Sequence, residues 1–153
     1  MRGLFVIIIT VLLLAASPAA ADRLPQPVPF PDKVYCAECG MGVKGDGLKF
    51  ASQIIMNNGK VKFFCDPGDM FVYYYVYKKK NELAAVYVRD YPSGSWLQAR
   101  DAVYLIGSKV VTPMRYGILP FKDRPGAEKF KKEKGGGAID TFDEVIASKV
   151  FKR

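Results

Sequence analysis

At 153 residues, half of them apolar and a quarter charged, the chain has the composition of a globular protein, with room for one domain or two small ones sharing a core. The formal charge of +8 suits anionic partners in general, but the basic residues form only short clusters, at Lys78–Lys80 and Lys129–Lys134, of the kind that usually face solvent. Histidine is absent, which excludes Ser-His and Cys-His nucleophilic catalysis.

The chain opens on Met1-Arg2, runs apolar from Leu4 to Ala16, breaks at Ser17-Pro18 and offers Ala19-Ala20-Ala21. That layout predicts a secretory signal peptide over 1–21, cleaved after Ala21, and the apolar run is short for a membrane span. The rival reading is an uncleaved anchor. No cysteine stands at the cleavage region to carry a lipid. Export places the protein in an oxidising compartment, the periplasm. Residues 22–35 hold Pro25, Pro27, Pro29 and Pro31 and predict an extended tether ahead of a domain over 36–153.

Gly42 to Gly47 reads as turn. Phe50 to Met56 and Lys60 to Cys65 predict a hairpin around Asn57-Asn58-Gly59, whose residues tolerate positive φ. Asp66 is a good N-cap, Pro67 suits the first helical position and Asp69 the positive helix end, so a helix is predicted from Asp66 to about Lys80. Ala84 to Asp90 predicts a strand. After the turn at Tyr91-Pro92-Ser93-Gly94, Trp96–Ala99 and Ala102–Ile106 predict a strand pair. Thr112-Pro113-Met114 lies in a loop, and Gly117 to Phe121 predicts a short strand. A helix capped by Asp123 runs to Lys134 and stops at Gly135-Gly136-Gly137. A brief strand at Ala138-Ile139 precedes a last helix, where Thr141 and Glu144 form a capping box. The element order predicts an α+β fold of two ββαβ-like units with antiparallel hairpins and packed helices, over about 36–90 and 91–153.

The chemistry concentrates in three cysteines. Cys36 and Cys39 form C-x-x-C, Gly40-Met41 follows, and Cys65 stands in Phe63-Phe64-Cys65-Asp66-Pro67. An odd number of thiols cannot all pair within the chain. Without histidine, a metal site must use thiolate, thioether and oxygen, a set that favours a soft ion, Cu(I) first. Cys36, Cys39, Met41, Cys65 and Met114 are the candidate ligands. Met41 follows a glycine that lets the backbone turn tightly, and Met114 stands in a loop after Pro113. Met70 lies one turn into the helix after Cys65, while Met56 falls in a strand pattern and reads as core. Two other readings stay open. One is a structural zinc module using Cys36, Cys39 and Cys65, with Asp66 or Asp69 as fourth ligand. The other is a thiol–disulfide protein using Cys36 and Cys39. Carboxylates are scattered without a pair suited to acid–base work, and no phosphate-cradling loop is present, so an enzyme is not expected. Aromatic residues interleave with few basic ones, so neither is a nucleic-acid partner.

Four segments together carry a resemblance: Cys36-Ala37-Glu38-Cys39-Gly40-Met41; Phe63 to Phe71; Thr112-Pro113-Met114 with Gly117 and Phe121; and Gly136-Gly137 with Thr141 to Glu144. They resemble the NosL family, copper-binding accessory proteins for nitrous oxide reductase, over nearly all of the chain after the signal. The first segment, with its later Phe-Cys, is also similar to the small YHS and TRASH metal-binding modules. The resemblance implies a periplasmic protein, often lipid-anchored, built of paired ββαβ units and binding one Cu(I). It also implies a membrane copper donor and a copper-enzyme acceptor as partners. The family's Cys-Gly-Met and Thr-Pro-Met motifs fall on Cys39-Gly40-Met41 and Thr112-Pro113-Met114, which implies Met41 and Met114 as ligands, with Cys39 and Cys36 close behind. The chain departs from the family in lacking the lipid-bearing cysteine and in adding Cys65.

Overall fold

The computed structural model describes residues 24–78 and 81–152. The signal segment 1–21 lies outside the described residues. Two antiparallel sheets carry the chain. The first has four strands in the order β2-β1-β3-β4: β1 (Ser52–Met56), β2 (Val61–Phe64), β3 (Leu83–Arg89) and β4 (Trp96–Gln98). The second has three in the order β6-β5-β7: β5 (Val103–Leu105), β6 (Leu119–Phe121) and β7 (Ile139–Thr141). Helix α1 (Pro67–Tyr77) connects β2 to β3, and α2 (Arg124–Lys134) connects β6 to β7. The fold is therefore α+β with two ββαβ units, and α3 (Phe142–Ser148) follows the second.

Local chemistry sets most boundaries. The β1–β2 hairpin pairs Ser52 with Phe64 and Ile55 with Val61, and Gly59 takes φ 78° in its turn. Asp66 caps α1 by accepting from the Gly68 amide, and Asp123 caps α2 by accepting from that of Gly126. Thr141 and Glu144 make the reciprocal capping box of α3. Gly42–Gly47 is only partly a turn, because Gly45–Phe50 winds into a 3-10 helix and the first strand starts at Ser52.

One predicted pairing is corrected. Trp96–Ala99 and Ala102–Ile106 are not partners. β4 pairs with β3, placing Leu97 opposite Val88, whereas β5 pairs with β6 and β7. A short turn through Arg100 and Asp101 carries the chain from one sheet to the other. The flanking Ala99 and Ala102 are buried, and the Tyr104 hydroxyl donates to the Ala99 carbonyl at 2.5 Å. Two adjacent strands joined this closely look like a hairpin in sequence, yet small buried residues at the crossing let them serve different sheets.

All five residues of β1 are buried, because both faces of its sheet are covered. On one face, Ile54, Met56, Phe64 and Val88 join the main core with Phe71 and Tyr74 of α1, and Tyr104, Phe142 and Phe151 extend that core toward the second unit. On the other face lies the proline-rich segment. Gln53, fully buried, donates to the Val28 carbonyl and accepts from the Val28 amide, the Tyr87 hydroxyl donates to the Pro25 carbonyl, and Phe30 stacks near Trp96. Residues 25–30 are thus bonded to the sheet as a cover rather than trailing from it. A second core of Phe50, Leu105, Leu119, Phe121 and Ala127 fills the space between the second sheet and α2.

Candidate metal centre

The site grows from two short segments that meet at the start of α1. In the first, a tight turn brings Cys36 and Cys39 together. The Gly40 amide donates to the Cys36 carbonyl, the Cys36 amide donates to the Met41 carbonyl, and Tyr35 bridges Gly42. Gly40 has φ 75°, a backbone state that glycine takes without strain. The Ala37 amide donates to the Phe63 carbonyl of β2, fixing this knuckle beside the second segment. There β2 ends at Phe64, Cys65 follows, and Asp66 starts the helix. Asp69 stands in the first turn of α1, and its carboxylate reaches back to the Cys65 sulfur.

The result is a compact group. Ligand atoms of Cys36, Cys39, Cys65 and Asp69 all lie within 4.8 Å of one another. Cys36 Sγ is 3.2 Å and Cys65 Sγ 3.5 Å from the same Asp69 oxygen, and the sulfurs of Cys39 and Cys65 are 3.5 Å apart. Cys36, Cys65 and Asp69 are buried, and Cys39 is half-buried, which leaves the group one accessible side. Three sulfurs and one carboxylate are a donor set for a soft or borderline ion. The three cysteines are free thiols.

The electrostatics separate the thiols. Cys36 is held down to about 4, chiefly because the Cys65 thiol donates to it, with further support from the amides of Cys39, Cys65 and Glu38. Burial raises Cys39 to about 11, while the hydrogen bond with Cys36, followed by burial, pushes Cys65 up strongly. Burial also raises Asp69, to about 6. One thiolate is therefore ready to receive a cation, and the other thiols lose their protons on binding it.

A second loop borders the group. Asp66 uses one carboxylate oxygen for the Gly68 amide and the other for the Met114 amide, both at 2.8 Å. Buried Thr112 also bonds Asp66, so the Thr112-Pro113-Met114 loop is tied to the same helix start as Cys65. Gly68 has no space for a side chain, because a Cβ there would overlap the Tyr116 ring.

The predicted residues divide accordingly. Cys36, Cys39 and Cys65 meet in one cluster. Met41 is exposed on the knuckle, its amide donating to the Cys39 sulfur, and Met114 is half-buried on the bordering loop. Met70 is fully buried in the main core, as is Met56 nearly so. Of the two acids considered for a zinc site, Asp69 reaches the thiols, whereas Asp66 serves as cap and loop anchor. The sequence signal that distinguishes them is the N-cap position of Asp66 before Pro67, which commits its carboxylate to backbone amides. The C-x-x-C pair does not open a helix: residues 37–39 form a turn, and the nearest following helix is the 3-10 segment at Gly45.

A cluster of thiols and a carboxylate on paired ββαβ units defines a small α+β protein with a candidate metal centre. The chain belongs to the NosL family, whose model matches residues 27–150. Its fold is similar to the crystal structure of the copper chaperone NosL from Shewanella denitrificans, with a TM-score of 0.68 at 24% identity over 80% of this chain and 97% of that one. No curated protein matches the sequence.

Proposed function

We propose that the protein is a periplasmic Cu(I) metallochaperone, a carrier that takes copper from a membrane donor and passes it to a copper enzyme, nitrous oxide reductase first among the candidates. The observation that carries this reading is the convergence of Cys36, Cys39 and Cys65 within 4.8 Å beside Asp69. Three sulfur donors suit Cu(I) and disfavour hard divalent ions. Membership of the NosL family and the likeness to a copper chaperone support the same cargo.

The arrangement suits exchange as well as affinity. Cys36 supplies a thiolate before the ion arrives. Cys39, the least buried of the three, is where a partner's ligand can enter. Met41 and Met114, on the two loops around the cluster, provide thioethers for the passing ion. A second reading is favoured by Asp69 itself, because three thiolates and a carboxylate also make a four-coordinate zinc site. The two separate in a competition titration of the reduced protein with Cu(I) and Zn(II) against a chelator. The carrier binds one Cu(I) in preference to Zn(II) and keeps its melting temperature when metal is removed. A structural zinc site shows the reverse preference and unfolds on chelation.

A further inference from the structure

The far end of α1 carries a second feature, unrelated to the thiols. Lys78 at the helix end and Lys149 and Lys152 of the C-terminal turn all gather on one tyrosine. Their ammonium nitrogens lie 4.9, 5.8 and 4.4 Å from the centre of the Tyr75 ring. The arrangement is built into the fold. Phe151 is buried against Phe71, one helical turn before Tyr75, and this pins the C-terminal turn to the helix. Lys149 takes a left-handed conformation, φ 57°, as the cap of α3, and its carbonyl accepts from the Lys152 amide.

None of these three cations has a carboxylate within ion-pair distance: among the described residues the only salt bridge is Arg100–Asp143. Together they draw the Tyr75 hydroxyl below its ordinary value, Lys149 most. Three like charges held together with no counter-ion among the described residues repel one another, and an anion relieves that repulsion. Apolar surface accompanies them. Val76, next to Tyr75, is 57% exposed, and Val150, between Lys149 and Phe151, is 40% exposed.

We infer that this patch is a docking surface for an anionic lipid bilayer. Lysines beside exposed branched aliphatics match the headgroup boundary, where ammonium groups meet lipid phosphates and valines enter the first carbons of the acyl chains. Lys79 and Lys80 add charge in the flanking sequence. Helix α1 has 11 residues, about 16 Å at 1.5 Å per residue, and the thiol cluster stands at its other end. Docking at the basic end therefore leaves the cluster clear for a protein partner. The inference rests on the fold and the lysines and is independent of which metal the cluster holds.

The test is co-sedimentation of the full chain with vesicles of phosphatidylglycerol and phosphatidylcholine, compared with phosphatidylcholine alone. The variants share the same N-terminal sequence, so the change they make in the anionic-vesicle preference reads the patch. Replacing Lys78, Lys149 and Lys152 together by Gln should lower the anionic-vesicle partitioning on the order of a hundredfold. The triple Arg replacement should retain it, and Val76→Ser with Val150→Ser should weaken it further at fixed charge. As a control, Lys129, Lys131 and Lys132 of α2 are replaced by Gln. Equal partitioning to both vesicle types overturns the inference. So does an equal loss in both Gln triples, which would reflect net charge alone. Binding to soluble polyglutamate without binding to vesicles also overturns it and indicates an acidic protein instead.

Discussion

The sulfur of Cys39 lies 3.5 Å from the sulfur of Cys65, on the other segment of the site. The thiols nearest in sequence, Cys36 and Cys39, are therefore not the only pair placed to react. Cys36 is held as a separate thiolate by the Cys65 thiol and by the amides of Cys39, Cys65 and Glu38.

This contact predicts the product of oxidation. Treating the metal-free protein with oxidised glutathione should start at the Cys36 thiolate, which attacks the glutathione disulfide and releases one glutathione thiol. Exchange with Cys39 and Cys65 releases the second and, with Cys36 as the best leaving group, ends on a Cys39–Cys65 bond. The net change is two protons and two electrons passed from these two thiols to the glutathione disulfide. Peptide mapping after alkylation should find Cys36 as the free cysteine, and the oxidised protein should not bind Cu(I) until reduced. A Cys36–Cys39 bond as the main product would contradict this assignment.

Acid titration should separate Asp69 from Cys36. Burial raises the Asp69 carboxyl to about 6, so the folded protein holds that proton more tightly than the unfolded chain, and stability falls as pH rises from about 4 to 6. Cys36, lowered to about 4, works in the opposite sense: its thiolate favours the folded state above the ordinary thiol range, and that contribution is lost as pH falls toward 4. Relative to wild type, Asp69→Asn should gain melting temperature between pH 4 and 6 and hold the gain above 6. Cys36→Ser should lose ground from pH 4 upward. Parallel curves for all three proteins would show that these groups do not titrate as described.

Gly68→Ala should destabilise the protein by about 1–3 kcal/mol, since its methyl group overlaps the Tyr116 ring and has to displace it. The displacement moves the loop that Asp66 anchors through Met114. Thermal unfolding and Cu(I) affinity should therefore fall together, and Gly68→Ala with Tyr116→Ala should recover part of the stability. No change in melting temperature would count against this packing.

Met41→Leu and Met114→Leu should each weaken Cu(I) binding while changing stability by less than about 1 kcal/mol, because Met41 is exposed and leucine keeps the volume of half-buried Met114. Equal affinity in wild type and both variants would remove Met41 and Met114 from the binding site.

Much of this fold was legible because short-range chemistry writes it. Asn57-Asn58-Gly59, Asp66-Pro67, Asp123 and Thr141 with Glu144 each close a local hydrogen bond, and each marks the boundary predicted from it. Long-range choices were less legible. Whether β4 pairs backward to β3 or forward to β5 depends on which sheet buries Leu97 and which buries Tyr104, and strand pattern alone does not say. The proline-rich segment reads as extended, but its attachment needs Gln53, an amide buried on a sheet face 25 residues away from Val28. At the site the cysteines were evident from their spacing. Asp69 was harder to choose over Asp66, because both favour a helix start, and only the N-cap position of Asp66 before Pro67 sets it apart.

The central claim is that Cys36, Cys39 and Cys65 together hold one Cu(I). The most direct measurement is X-ray absorption at the copper edge on the reduced protein loaded with one equivalent, for wild type and for each Cys→Ser variant. The account predicts a sulfur-dominated first shell of about three neighbours. It also predicts the loss of one sulfur, with weaker binding, in each of the three variants. An unchanged shell and affinity in any one of them would remove that cysteine, and unchanged values in all three would place the copper elsewhere.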